Sequence, residues 1–242
     1  FCKNMMLTAA EIKLLPSLEV DFLEIYEAYE SHKRKEQLMD FDDILKYAWG
    51  LLKKYPEMLA FFQNQYPYIH LDEAQDTSKI QFKIIELLTG KIGNLFMVGD
   101  EDQSIYGFRA AYPEALLSFE KNHKGAKVLL MEENFRSNAK IVEAADKFIQ
   151  KNTLRHEKHM RAAREAGADI REISLKSRKA QYVYLMKAAQ ECTTGMAGMS
   201  GSEEHRGRAD ASVTETAVLY RDNECAIPLI DLLERKNIPY RM

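Results

Sequence analysis

Apolar residues recur at three- and four-residue spacing over residues 11–36 and again over 41–55, where Leu45, Ala48, Trp49 and Leu52 fall on one face. This period predicts two amphipathic helices, each with a stripe to bury. The pattern then changes. Residues 68–71, 95–98 and 128–131 are short unbroken apolar runs that end in acidic residues, and helical periods over 80–88 and 113–121 separate them. Short apolar runs bounded by polar residues read as strands buried on both faces. Strands that alternate with helices predict an α/β fold, a parallel sheet with helices on both sides.

A second set follows the same plan, with helices expected over 141–150, 180–189 and 226–236 and strands over 170–174 and 217–220. Between its halves, residues 193–212 (TTGMAGMSGSEEHRGRADAS) are rich in Gly, Ser and charge and have no period, which predicts a flexible insertion. No internal repeat is present.

Ligands of parallel sheets gather at the carboxyl ends of the strands, and the polar residues cluster there. Asp72 and Glu73 close the first expected strand, Gly99 and Asp100 the second, and Glu133, Asn134, Phe135 and Arg136 follow the third. Three strands that deliver charged groups to one edge predict one shared site.

Composition narrows the class without changing it. The chain has 242 residues, 46% hydrophobic and 29% charged, enough for one large domain or two medium ones with ordinary cores. The formal net charge of -3 restricts any nucleic-acid contact to a local patch. Cys2, Cys192 and Cys225 are scattered and fit neither a disulfide framework nor a zinc site. No run approaches the roughly 18 apolar residues of a spanning helix. The expectation is a soluble, cytoplasmic protein without a membrane partner.

An Asp followed by a second acid at a strand end suits metal-assisted nucleotide hydrolysis, in which the Asp holds Mg²⁺ and the Glu takes a proton from the attacking water. An isolated pair fits a helix cap equally well. Here the pair stands in a longer series. LDEAQDT (71–77), VGDEDQSIYGFRAA (98–111) and MEENFRSN (131–138) resemble motifs II, III and IV of superfamily 1 DNA helicases of the UvrD, Rep and PcrA type. MDFDDIL (39–45) is similar to the segment before motif II, and AVLYRDN (217–223) with IPYR (238–241) to the start of the second motor domain.

The resemblance implies RecA-like P-loop NTPase motor domains and ATP with Mg²⁺ as cofactors. Asp72 would bind Mg²⁺, Glu73 would activate water close to the metal, and Gln75 and Gln103 would sense the γ-phosphate. Phe135, where many relatives carry Tyr, would stack on adenine, and Arg136 would reach the γ-phosphate as an arginine finger. Tyr106, Phe108 and Arg109 would couple nucleotide state to single-stranded DNA by stacking on bases, unless the two aromatics are core residues. The partners implied are single-stranded DNA and duplex junctions, with movement in the 3′-to-5′ direction.

Two other features carry less. His156 and His159 stand three apart in RHEKHMRAAR, but no Cys or carboxylate cluster completes a metal set. The basic excess over 151–179 reads as a solvated surface more readily than as a phosphate contact.

GxxxxGK followed by Ser or Thr, the loop that cradles β- and γ-phosphates, does not occur in the chain. The chain begins at Phe1, inside a helical pattern. By the resemblance it is expected to be an internal segment of a longer helicase. Residues 1–37 would be the end of helical subdomain 1B, 38–130 the second half of domain 1A, and 131–242 the first part of domain 2A. The segment alone is expected to be inactive. The helicase part of a recombination helicase-nuclease and a degenerate, non-catalytic nucleic-acid-binding module are the rival readings.

Overall fold

A computed structural model describes residues 1–15, 21–90, 93–197 and 216–242, with the backbone alone for 191–197. The described residues form two compact units, Phe1–Asp169 and Ile170–Met242.

In the first unit, two helices, α1 (Ala9–Lys13) and α2 (Phe22–Lys35), replace the single helix expected over 11–36, whose residues 16–20 lie outside the described residues. Thr8 and Glu11 form a capping box at the start of α1. Pro16 follows shortly after its end, and proline disfavours helical backbone in the residue before it. Cys2, Ile12 and Leu23 form a small core beneath Leu7, Leu15, Phe22 and Tyr26. Helix α3 (Phe41–Lys54) matches expectation, with Leu52 buried and Leu45, Ala48 and Trp49 half-buried on one face. Helix α4 (Pro56–Gln65), which the period did not reveal, starts on a proline, the residue best suited to a first helical position.

A buried ion cluster ties these helices to the N-terminal segment. The ammonium groups of Lys3 and Lys33 lie 2.8 and 2.6 Å from the two oxygens of Asp43, which is 2% exposed. Both also contact Asp40 and Glu30 at 2.7–2.8 Å. Burial pushes the Asp40 and Asp43 carboxyls upward, but the two lysines more than offset it and hold both below the usual range. Burial likewise opposes the charge of Lys3 and Lys33, and the carboxylates outweigh it, so both lysines lie above their usual value.

Asp43→Ala is therefore expected to destabilise the protein by about 1–3 kcal/mol, because Asp40 and Glu30 still balance the two lysines but each ammonium loses a buried hydrogen-bond partner; urea denaturation measures this. The pH sign follows from the same shifts. The depressed carboxylates stabilise fully above their unfolded pKa of about 3.9, and this is lost as pH falls through the folded values. The raised lysines stabilise fully below their unfolded pKa of about 10.4, and this is lost as pH rises through the folded ones.

Strands β1 (Ile69–Leu71) and β2 (Leu95–Met97) pair in parallel, with Ile69 opposite Leu95, His70 opposite Phe96 and Leu71 opposite Met97. Helix α5 (Lys79–Thr89) lies between them in sequence, supplying the crossover that parallel strands need, and packs against α3 and α4. The helix expected over 113–121 is instead two short ones, α6 (Glu114–Leu117) and α7 (Phe119–Asn122). They are divided at Ser118, whose hydroxyl donates back to the Glu114 carbonyl at 2.6 Å.

The third expected strand, 128–131, is not one; Leu129 and Met131 are exposed and the segment pairs with no described strand. Pairing occurs just beyond it, where β3 (Glu133–Asn134) runs parallel to β4 (Arg161–Ala162). Helix α8 (Ala139–Ile149) follows β3 near its expected place, capped by Asn138.

The second unit is built on α9 (Arg178–Ala197) and α10 (Asn223–Arg235), which enclose Met186, Leu229, Leu233 and Ile238. Residues 170–174 and 217–220 form no strand; Val218 packs against that core without a partner strand among the described residues. Helix α9 runs past its expected end into the proposed insertion, so residues 193–197 are helical, and the rest of 193–212 lies outside the described residues. No described helix is long and apolar enough to cross a membrane.

Candidate functional site

The chain leaves β1 through Asp72 and Glu73 and enters a 3-10 turn at Ala74–Asp76. The turn is pinned to the end of β2, because the Ala74 N–H donates to the Val98 carbonyl at 2.9 Å and the Val98 N–H to that of Leu71 at 2.8 Å. Glu73 sits in the left-handed region with φ of 49°, a conformation that costs a non-glycine residue energy and persists where its surroundings hold it. Its N–H donates to Asp72 Oδ1 at 2.9 Å, and its Oε2 accepts from Gln75 Nε2 at 2.7 Å.

Gln75 joins the ends of the two strands. Only 1% exposed, it uses its other amide atom, Oε1, to accept the Asp100 N–H at 2.9 Å. An amide suits this position because it donates to one acid and accepts from the backbone beside another. Gly99 permits the approach: a Cβ there would lie 2.8 Å from Gln75 Oε1 and 3.2 Å from Ala74. Asp100 opens a second 3-10 turn, Glu101–Gln103, and its Oδ2 accepts from the Gln103 side chain at 2.7 Å.

An open pocket of about 540 Å³ lies at this edge, lined by Glu73, Gln75, Asp76, Asp102, Gln103 and Tyr106 among others. Asp72 is exposed beside Glu73 but does not line it. Asp76 contributes a buried oxygen, Oδ1, that has no hydrogen-bond partner. Buried acceptors of this kind are normally satisfied by water or an ion.

Beyond Gln103 the chain turns again at Gly107–Arg109. Phe108 is 73% exposed and joins no core of the described residues; Tyr106 is half-buried. Their ring centroids are 5.8 Å apart, and the Arg109 guanidinium lies 4.8 Å from the Tyr106 centroid and 5.6 Å from that of Phe108. The result is an aromatic and cationic surface continuous in sequence with the pocket wall.

Phe135 and Arg136 stand apart from the pocket lining, and both are exposed, Phe135 to 66%. Their turn is set by Asn134, whose Oδ1 accepts the N–H groups of Arg136 at 3.0 Å and Ser137 at 2.8 Å.

Sequence reasoning missed the counter-ions of the second turn. Arg155 forks onto Asp102, with Nε to Oδ1 at 2.9 Å and Nη2 to Oδ2 at 2.8 Å. Lys158 donates to Asp100 Oδ1 at 2.7 Å and lies 3.2 Å from Glu101 Oε2. The His156 N–H donates to Glu101 Oε1 at 2.8 Å. The side chains of Arg155 and Lys158 are only 5% and 10% exposed, so for these two the expected solvated surface is incorrect. Three successive acids at a strand end were the available signal, since buried carboxylates need paired cations.

Burial pushes the Asp100 and Glu101 carboxyls up. At Asp100 the bonds from Lys158 and Gln103 outweigh it, and at Glu101 the His156 amide and Lys158 contribute, so both lie below their usual values. His156 and His159 do not share a metal site: His156 faces Glu101 and His159 faces Asp146. Among the described residues the metal-like grouping is Glu30, Asp40 and Asp43, already neutralised by Lys3 and Lys33.

Parallel strands whose carboxyl ends lead through Asp72-Glu73 and Gly99-Asp100 into two turns that line one pocket define an α/β domain with a candidate ligand site at the sheet edge. Residues 2–124 match the UvrD/REP helicase N-terminal domain and residues 129–242 the UvrD-like helicase C-terminal domain. Over 218 residues, 90% of its length, the chain is 34% identical to the ATP-dependent DNA helicase PcrA of Staphylococcus epidermidis and 32% identical to that of Staphylococcus aureus. The chain belongs to the UvrD/Rep helicase family, whose domains imply a RecA-like α/β fold. It spans 28% of the length of these curated relatives.

Proposed function

We propose that the chain is the central part of an ATP-driven DNA helicase that moves along single-stranded DNA, 3′ to 5′, and opens duplex junctions. Residues 1–37 would end subdomain 1B, 38–130 would complete domain 1A and 131–242 would begin domain 2A. The observation that carries this reading is the buried Gln75 bridge, which brings Glu73 and the Asp100–Gln103 turn to the same pocket.

Glu73 takes the proton of the attacking water, and Gln75 fixes the carboxylate that receives it. Gln103, exposed at the pocket and tethered to Asp100, reports the state of the terminal phosphate to the Tyr106–Arg109 surface, where bases stack without sequence readout. Exposed Asp72 and the unpartnered oxygen of Asp76 are hard oxygen donors that fit Mg²⁺, an ion that keeps several of its waters. Magnesium bound there would neutralise charge on the phosphate oxygens. Phe135 would face adenine and Arg136 the γ-phosphate.

Steady-state ATPase of residues 1–242 beside the full-length helicase tests the reading. DNA-stimulated turnover is expected only from the longer chain, because this segment contains no GxxxxGK sequence to cradle the phosphates. DNA-stimulated hydrolysis by residues 1–242 alone would overturn the assignment as a segment of a larger motor.

A further inference from the structure

We infer that Lys158 and Arg155 are positioning residues for the hydrolytic site, acting through the Asp100–Asp102 turn. This rests on the nucleotide reading of the pocket. The two carboxylate oxygens of Asp100 are divided between Lys158, on Oδ1 at 2.7 Å, and the side chain of Gln103, on Oδ2 at 2.7 Å. The Asp100 N–H holds Gln75, which in turn holds Glu73. Rotation of the Asp100 carboxylate therefore moves Gln103 directly, and a shift of the Asp100 backbone moves Gln75 and, through it, Glu73. Asp102, gripped by the Arg155 fork, lines the pocket itself.

Charge makes the arrangement necessary as well as geometric. Asp100, Glu101 and Asp102 place three carboxylates beside a pocket that already contains Glu73 and Asp76. An anionic nucleotide would be repelled from such a wall. Lys158 contacts all three acids, at 2.7, 3.2 and 3.4 Å, and with Arg155 it removes most of that charge from the turn. Both cations come from a loop 53 to 58 residues away in sequence, between α8 and β4, so the turn is set by a segment outside motif III.

The test uses the full-length helicase with saturating single-stranded DNA. Lys158→Met is expected to lower kcat about tenfold to hundredfold, the scale of a small misplacement, while KM for ATP changes less than about threefold. Lys158→Arg keeps the charge and is expected to restore most of the rate. Amide hydrogen exchange gives a readout independent of activity: in Lys158→Met the N–H groups of Gln103, Ser104 and Ile105, bonded within the turn, should exchange faster, while those of α5 stay protected.

Should Lys158→Met not fold, Arg155→Lys, which loses only the fork, is read by the same two measurements with the same expected direction. Parental kcat and unchanged exchange in the folded variant would overturn the inference. Glu73→Gln measured in parallel separates the two failures: if it retains turnover, the reading of the pocket falls and the inference with it; if it is inactive while Lys158→Met behaves as the parent, only the positioning role falls.

Discussion

Glu73→Gln in the full-length helicase is expected to reduce DNA-stimulated ATP hydrolysis by roughly 10³-fold, about 4 kcal/mol of transition-state stabilisation, within the range for loss of a general base. Glutamine has nearly the same volume, and its carbonyl oxygen can still accept from Gln75 Nε2, so the bridge to Asp100 survives. What is lost is a group that can take a proton from water. Nucleotide affinity should therefore change little, as equilibrium titration with a fluorescent ATP analogue would show. Were Glu73 only the cap of the turn that follows, removing its charge would cost stability and leave turnover near parental. A kcat within tenfold of the parent would return Glu73 to that structural role.

Arg136→Lys separates a surface arginine from a catalytic one. Arg136 is exposed, and its guanidinium has no hydrogen-bond partner among the described residues, so nothing in the first unit requires it for stability. An exposed ion pair is worth no more than about 1 kcal/mol, and lysine would replace a surface arginine at little cost. A finger on the γ-phosphate behaves differently, because lysine retains the charge but loses the planar fork that matches phosphate oxygens. The expected result is a fall in kcat of about 10³-fold or more, with DNA binding in the absence of nucleotide nearly unchanged. Steady-state ATPase and fluorescence anisotropy on labelled single-stranded DNA measure the two quantities. Near-parental kcat would remove Arg136 from the active site.

The two variants probe residues that differed in how far the chain alone revealed their setting. Glu73 was identified as a strand-end acid, but the tie of its partner Gln75 to Asp100 and the pinning of its turn to Val98 were not foreseeable, since both depend on β2 arriving beside β1. Arg136 was placed after a strand at 128–131, whereas the strand lies at Glu133–Asn134, nearer to it. An apolar run reports that a segment tends toward burial, not which neighbour will pair with it, and the same limit explains the strands expected at 170–174 and 217–220.

By itself the sequence determined the features that are local or periodic. Helices α3, α5, α8 and α10 follow from apolar spacing and capping residues, and the parallel pair β1–β2 from apolar runs on either side of a helix. The acids and glutamines of 71–77 and 98–111 were legible because their chemistry lies in contiguous residues. Tertiary structure alone decided which of them meet. Gln75 bonds to Asp100 across 25 positions, Lys158 to Asp100 across 58, and Lys3 to Asp43 across 40. Such contacts leave no period in the chain, because a charge can pair with any opposite charge the fold brings near, and burial then makes that choice binding by removing the water that would otherwise serve both.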